Sequence, residues 1–260
     1  MHPPMDNLAD LRILISNDDG INAPGIKVLE KVARAISKDV WVVAPETEQS
    51  AAGHSLTIRR PLRVRQVSRR RYAVDGTPTD AVLLGINHVL KGRRPDLVLS
   101  GINRGGNLGE DVTYSGTVAA AMEATILGVP AIAFSQYYGP DQPVRWATAE
   151  HWAPEIIRRV TRVGWGRNVL INVNFPDVPH GQVTGIEVTR QGKRKIGDEL
   201  SERLDPRGDP YIWIGAQRAE DRSTPGTDIE AVTRGAVSVT PLCVDLTDRD
   251  TMRALATVFA

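Results

Sequence analysis

Residues Asp96–Leu127 read DLVLSGINRGGNLGEDVTYSGTVAAAMEATIL. The run Leu97–Leu99 is short and apolar, as a buried strand is. A loop of Gly101, Asn103, Gly105, Gly106, Asn107 and Gly109 follows it. Tyr114-Ser115-Gly116-Thr117 then leads into an Ala-rich segment whose apolar spacing is helical up to Leu127. Strand, loop and helix in that order predict one arm of an α/β sheet. Glycines let backbone N–H groups approach a ligand. Ser115 or Thr117 stands at the expected N-cap, where free N–H groups and the helix dipole favour an anion. The stretch is a candidate phosphate cradle, although taken alone it describes an ordinary capped turn equally well.

The same alternation extends to both sides. Upstream, Leu11–Ile15 reads as a buried strand ending in Ser16-Asn17-Asp18-Asp19-Gly20. Pro24 suits the first turn of a helix to about Ile36, and Val40–Ala44 is a second strand. Strand, helix and strand at this spacing make a parallel βαβ unit with a right-handed crossover. Leu62–Val67 and Tyr72–Val74 read as a hairpin around an Arg-rich turn. Thr77 and Pro78 cap and open a helix to about Leu90. Downstream, Gly128-Val129-Pro130 ends the cradle helix. Ala131–Phe134 is a strand, Trp146–Val163 an amphipathic helix, and Val169–Val173 a strand. Beyond Phe175-Pro176, strands are expected at Ile186–Arg190, Tyr211–Ile214 and Ala236–Thr240, with a closing helix at Asp248–Val258. Between the first two lies QGKRKIGDELSERLDPRGDP, Gln191–Pro210, polar and without a core face. So long an excursion in a compact domain is usually functional or an oligomer contact.

The 260 residues are 41% hydrophobic and 24% charged, enough for one large core. A net charge of +1 gives no general pull toward a nucleic-acid polymer or an anionic membrane. Arg69-Arg70-Arg71 and Lys193-Arg194-Lys195 read as solvated turns, since no aromatics interleave them. The single cysteine, Cys243, excludes an internal disulfide and a multi-Cys metal site and fits a reducing compartment. Between Leu242 and Val244 it reads as a buried small apolar residue. No apolar run is long enough to span a bilayer. MHPPMDNLAD at the start has no cationic and apolar leader pattern and reads as a loose extension. The expectation is a cytoplasmic protein.

Four polar clusters fall at the carboxyl ends of the expected parallel strands. They are Asp18-Asp19, Ser50, Asn103 and Asn107. In a doubly wound sheet the ligand crevice lies there, where strand order reverses. Oxygen donors of this kind suit a hard cation such as Mg²⁺ or Mn²⁺. A cation so placed can polarise a phosphoryl oxygen and acidify water. Each residue alone has an ordinary explanation: Asp18-Asp19-Gly20 as an Asx turn, Ser50 as a loop serine, Asn103 as a turn-holder, His54 as a solvated histidine rather than a general acid. Their convergence with the cradle on one sheet edge is what favours a site.

ILISNDDGINAPGI at Ile13–Ile26, VVAPETEQSAAGHSLT at Val42–Thr57, VDGTPTDAVLLG at Val74–Gly85, DLVLSGINRGGNLGEDVTYSGTVAAAMEA at Asp96–Ala124 and SVTPL at Ser238–Leu242 together resemble the motifs of the SurE (survival protein E) nucleotidase family. The resemblance spans nearly the whole chain from Leu11. It implies a metal-dependent phosphatase that hydrolyses nucleoside 5'- and 3'-monophosphates with a metal-activated water. One Mg²⁺ or Mn²⁺ per subunit would be held by Asp18, Asp19, Ser50 and Asn103. Asp18 and Asp19 would be the catalytic carboxylates, and Asn107, Ser115, Gly116 and Thr117 would bind phosphate. Asp19 as general base, as nucleophile or as ligand only remain alternatives, with a covalent aspartyl-phosphate ranked below direct water attack. Ala124 stands where the family frequently has glycine, away from any ligand position.

The resemblance also implies a Rossmann-like three-layer core with a mostly parallel sheet, and an extended C-terminal hairpin region used for oligomerisation. The division expected is residues 1–10 as extension, 11–184 as the metal- and phosphate-binding core, and 185–260 as the oligomerisation segment and closing elements of the same domain. Tyr211, Ile212, Trp213 and Ile214 have the composition of an interface core. The residues alone favour an excursion folded back over its own sheet, whereas the resemblance implies a homodimer or homotetramer built partly by exchange of C-terminal segments. Two rival readings differ in class. A nucleotide-binding sensor would use the same cradle without turnover. A dinucleotide-dependent oxidoreductase is disfavoured, because the turn after the first strand is Asn17-Asp18-Asp19-Gly20 and lacks G-x-G-x-x-G.

Overall fold

The computed structural model of the chain describes residues 1–139, 142–196, 200–214 and 218–259. Apolar runs of four to seven residues alternate with amphipathic helices, and the strands stack into one large sheet. In chain order the elements are β1 (Arg12–Ser16), α1 (Pro24–Ile36), β2 (Asp39–Pro45), β3 (Val64–Ser68), β4 (Arg71–Val74), α2 (Pro78–Leu84), β5 (Leu97–Arg104), α3 (Gly116–Ile126), β6 (Ala131–Gln136), α4 (Trp146–Val163) and β7 (Val169–Phe175). Then come β8 (Ile186–Val188), β9 (Arg194–Ile196), β10 (Leu200–Leu204), β11 (Pro210–Ile214), β12 (Arg218–Glu220), α5 (Asp228–Thr233), β13 (Val237–Cys243) and α6 (Arg249–Val258).

The main sheet runs β3-β4-β2-β1-β5-β6-β7-β13-β8. Strands β4, β2, β1, β5, β6 and β7 are mutually parallel, as the βαβ reading requires. Because side chains alternate along a strand, Ile13 and Ile15 face one layer and Leu14 the other. The first layer packs on Ile26, Leu29 and Val32 of α1 and on Ala153, Ile156 and Ile157 of α4. The second packs on Ala81 and Val82 of α2 and on Val118, Ala121 and Ala124 of α3. Strand order reverses between β1 and β5, so the crevice at their carboxyl ends is where a ligand is expected. No helix among the described residues is long and apolar enough to cross a membrane.

Four expectations change. The helix opened by Thr77 and Pro78 has its capping box, but from Gly85 to Val89 it winds as one π-turn. The extension is docked rather than loose: His2 is buried against Trp165, and the His2 and Met5 N–H groups donate to the Trp165 and Thr161 carbonyls. Cys243 is exposed, because alternation along β13 turns Leu242 and Val244 toward the second layer and the thiol away from it. The excursion from Gln191 is not uniformly coreless. Gly192 and Arg194 are buried under the cradle loop. The ribbon β10–β11 stands uncovered, with Trp213 65% and Ile214 71% exposed. Residues 197–199 of the excursion lie outside the described residues.

Candidate active site

Asp18 and Asp19 follow β1, and their turn is closed by Asn17 Nδ2 donating to the Gly20 carbonyl at 3.0 Å. The Gln49 N–H donates to the Asp18 carbonyl at 2.8 Å, which ties the loop after β2 to the loop after β1. Asn103 reaches the same edge through a bulge. Ser100 pairs with Ala133 and Asn103 with Ser135, so β5 carries one more residue than β6 there. Gly101 permits this close approach: its φ is +120°, and a Cβ would lie 2.3 Å from the Phe134 carbonyl oxygen.

The cradle helix begins beside Asp18. Ser115 is the N-cap of α3, its Oγ accepting from the Val118 N–H at 3.0 Å. Its own hydroxyl hydrogen is left to donate. A Cβ on Gly116 would lie 2.6 Å from the Asp18 Cβ, so only glycine lets the helix start come this near. The Thr117 hydroxyl donates to Asp18 Oδ1. Asn107 is held from three directions. Its N–H donates to Asn174 Oδ1 at 2.8 Å, its Nδ2 to Ser135 Oγ at 2.8 Å, and its carbonyl accepts from Asn172 and Asn174.

Asp18, Ser50, Asn103, Asn107 and Ser115 line one cavity of about 210 Å³. Five of the eight expected site residues therefore meet there. Gly116 and Thr117 lie behind Asp18 rather than in the wall, and Asp19 turns to a neighbouring cavity. Ser50 is exposed and donates to Glu48 Oε1 at 2.7 Å. His54 is not simply solvated, since its Nε2 lies 2.9 Å from Glu123 Oε2 of α3.

Burial pushes the Asp18 carboxyl up to about 6; the Thr117 hydrogen bond opposes this and the Asp19 charge adds to it. Asp19 is also raised, by burial first and by Glu48, against the Arg104 N–H that donates to its Oδ2 at 3.0 Å. Two carboxylates crowded at a buried strand end call for a cation. Asn103 donates its Nδ2 to the Gly105 carbonyl, which leaves the amide oxygen as an acceptor. Two carboxylates, a hydroxyl and an amide oxygen make an all-oxygen set suited to a hard divalent ion. Among the described residues, no group of three or more His, Cys, Asp and Glu side chains is placed to hold a metal ion by itself.

Sequence reading missed the anchors beneath the cradle. Asp228, at the start of α5, accepts from the Gly109 and Gly192 N–H groups at 2.9 and 2.8 Å. The unread signal was the Thr227-x-x-Glu230 spacing of a helix start, and Thr227 does accept from the Glu230 N–H. Arg194 Nε sits 3.2 Å from Asp111 Oδ2 and 3.1 Å from Glu220 Oε1. No local pattern announces that pairing.

Residues 13–198 match the sequence profile of a family described as Survival protein SurE. A protein of Paramagnetospirillum magneticum named 5'-nucleotidase SurE is 78% identical over 257 residues, 99% of each chain. One of the same name from Rhodospirillum rubrum is 61% identical across the full length of both. The crystal structure of the SurE protein from Aquifex aeolicus superposes with a TM-score of 0.84 at 42% identity, covering 96% of this chain and 100% of that one.

Proposed function

The chain belongs to the SurE family, and from that premise we propose that it is a 5'-nucleotidase whose phosphomonoesterase site is the cavity between β1, β5 and α3. The names of its relatives favour turnover over a nucleotide sensor. The observation that carries the metal-dependent reading is Asp18: a carboxylate 4% exposed, raised to about 6, beside Asp19 and only oxygen donors. In this reading Asp18, Asp19, Ser50 and Asn103 hold one Mg²⁺ or Mn²⁺. Such an ion polarises a phosphoryl oxygen and acidifies water. Thr117 orients Asp18 by its hydrogen bond. Ser115 donates its hydroxyl hydrogen to a phosphate oxygen and Asn107 its second amide hydrogen. The Thr117 N–H and hydroxyl are turned to the Asp18 carboxylate, so the phosphate role expected of Gly116 and Thr117 narrows to the Gly116 first-turn N–H and the helix dipole. Nucleoside 5'-monophosphates are the substrates, with 3'-monophosphates as a second ester class. A single cysteine supports a cytoplasmic setting. The test is phosphate release from nucleoside monophosphates by chelator-treated protein, before and after adding Mg²⁺ or Mn²⁺. Equal release under both conditions would remove the metal from the reading.

Ser115→Ala is expected to weaken inhibition by free phosphate about tenfold to a hundredfold, the worth of a hydrogen bond to a charged group. Loss of the cap costs about 1 kcal/mol of stability besides. Metal affinity should move less, since Ser115 is not among the donors. An unchanged phosphate inhibition constant with lost metal affinity would mean that the two roles are exchanged.

We assign the exposed ribbon β10–β11 to assembly as a dimer or tetramer. An isolated two-stranded hairpin is marginal in water, and Leu200, Ile212, Trp213 and Ile214 are all more than half exposed. Replacing Ile212 and Ile214 by Asp should lower the oligomeric state seen by light scattering. Phosphatase activity should persist, because the ribbon contributes no residue to the cavity. A native protein that is monomeric at micromolar concentration would overturn this assignment.

A further inference from the structure

Next to the small cavity lies a larger one of about 520 Å³, within the range of small-molecule sites. It combines apolar surface from Pro24, Val144 and Trp146 with polar groups from Asp19, Glu48 and Arg104. The two cavities meet along the proposed metal donors. Arg104 lines both. Asp18 faces the small one and Asp19 the large one. The bond from Ser50 Oγ to Glu48 Oε1, 2.7 Å long, and the bond from the Arg104 N–H to Asp19 Oδ2, 3.0 Å, cross between them.

We propose that the larger cavity takes the nucleoside portion of a nucleoside monophosphate whose phosphate sits in the cradle, with Trp146 as the contact that selects for a base. The proposal rests on the nucleotidase reading above. Charge fixes the orientation. Asp19 and Glu48 outnumber Arg104, the cation that both cavities share, so a phosphate is drawn to the helix start at Ser115 instead. The uncharged sugar and base suit the acid-edged side. A ribose hydroxyl can donate to Glu48, and a flat base has apolar faces for an aromatic ring. Trp146 opens α4, is half-buried, and packs close to Gly25 of α1: a Cβ there would lie 3.1 Å from the ring. The ring is therefore fixed on one side while it borders the cavity.

The test compares kcat/KM for a nucleoside 5'-monophosphate with that for ribose 5-phosphate, which has the sugar and phosphate but no base. Trp146→Ala should lower the ratio of the two about fivefold to a hundredfold, mainly through KM for the nucleotide. Trp146→Phe, which keeps an aromatic face, should restore most of the ratio. Val144→Trp fills the cavity without touching the α1 contact, so it gives the same fall in ratio should Trp146→Ala fold poorly. An unchanged ratio in folded Trp146→Ala or in Val144→Trp overturns the proposal. If the wild-type protein with Mg²⁺ or Mn²⁺ released phosphate from neither substrate, the nucleotidase reading itself would fall, and this proposal with it.

Discussion

Asp18→Asn is expected to lower phosphate release about a thousandfold or more and, at the same time, to raise the melting temperature of the metal-free protein at pH 8. The first effect follows from losing a charged metal donor, a contribution of several kcal/mol in metal-assisted phosphoryl chemistry. The second follows from burial. The folded carboxyl is pushed up to about 6 from an ordinary 3.8, so between those values the folded state holds a proton that the unfolded chain has released. The contribution of this group to stability therefore falls as pH rises through that window. Above about pH 6 the penalty is on the order of 3 kcal/mol, the two-unit difference converted to energy. Asparagine carries no charge to desolvate and still accepts from Thr117. The stabilisation should therefore shrink as pH approaches 4. In the wild type, cation affinity should fall below about pH 6, because the proton competes for the same carboxylate. Calorimetry between pH 4 and 8, with and without chelator, measures both. A variant that kept most of its turnover and its metal affinity would show that Asp18 is no donor. Asp19→Asn should lose turnover similarly with a smaller gain in stability, since Asp19 is less buried.

Arg194→Ala is expected to be the most damaging change outside the cavity. The side chain is 4% exposed, between Asp111 and Glu220, with its guanidinium 5.8 Å from the Tyr137 ring centroid. Its removal takes this cation from the buried Asp111 and the half-buried Glu220, a loss of up to about 3–5 kcal/mol. Glu220 keeps Arg222, but that side chain is well exposed and screened. A melting-temperature fall on the order of 10 °C follows for a chain of this size. Asp111 belongs to the short 3-10 helix Gly109–Thr113, and its carbonyl accepts from the Ser115 N–H at 3.0 Å. The cradle should loosen with the fold, so KM for phosphate esters should rise more than in a variant of equal instability elsewhere. Arg194→Lys keeps the charge without the planar fork and should fall between. A variant that melts within a degree or two of the wild type would show that the buried pair contributes little.

Some of this architecture is local information. Strands β1, β2, β5, β6 and β7 are apolar runs that need only their own residues and a sheet to enter. The caps at Thr77 and Ser115 are short-range hydrogen bonds spelled out within four residues. A parallel βαβ order then brings the Asp18-Asp19 turn and the Asn103 loop to one edge. The chain by itself therefore determined the fold class, the switch point and the residues at it. What the tertiary structure decided is which way those residues face and what supports them. Thr117 turns to Asp18 instead of the cavity because the phase of α3 against β1 sets it, a contact 99 residues apart in sequence. Asp228 and Arg194 support the cradle across separations of 119 and 84 residues. Likewise, β13 enters between β7 and β8, antiparallel to the first and parallel to the second, docking the C-terminal segment against the core. Local propensity carries no record of such pairings, because their stability comes from desolvated charges and backbone groups that meet only once the chain has closed around them.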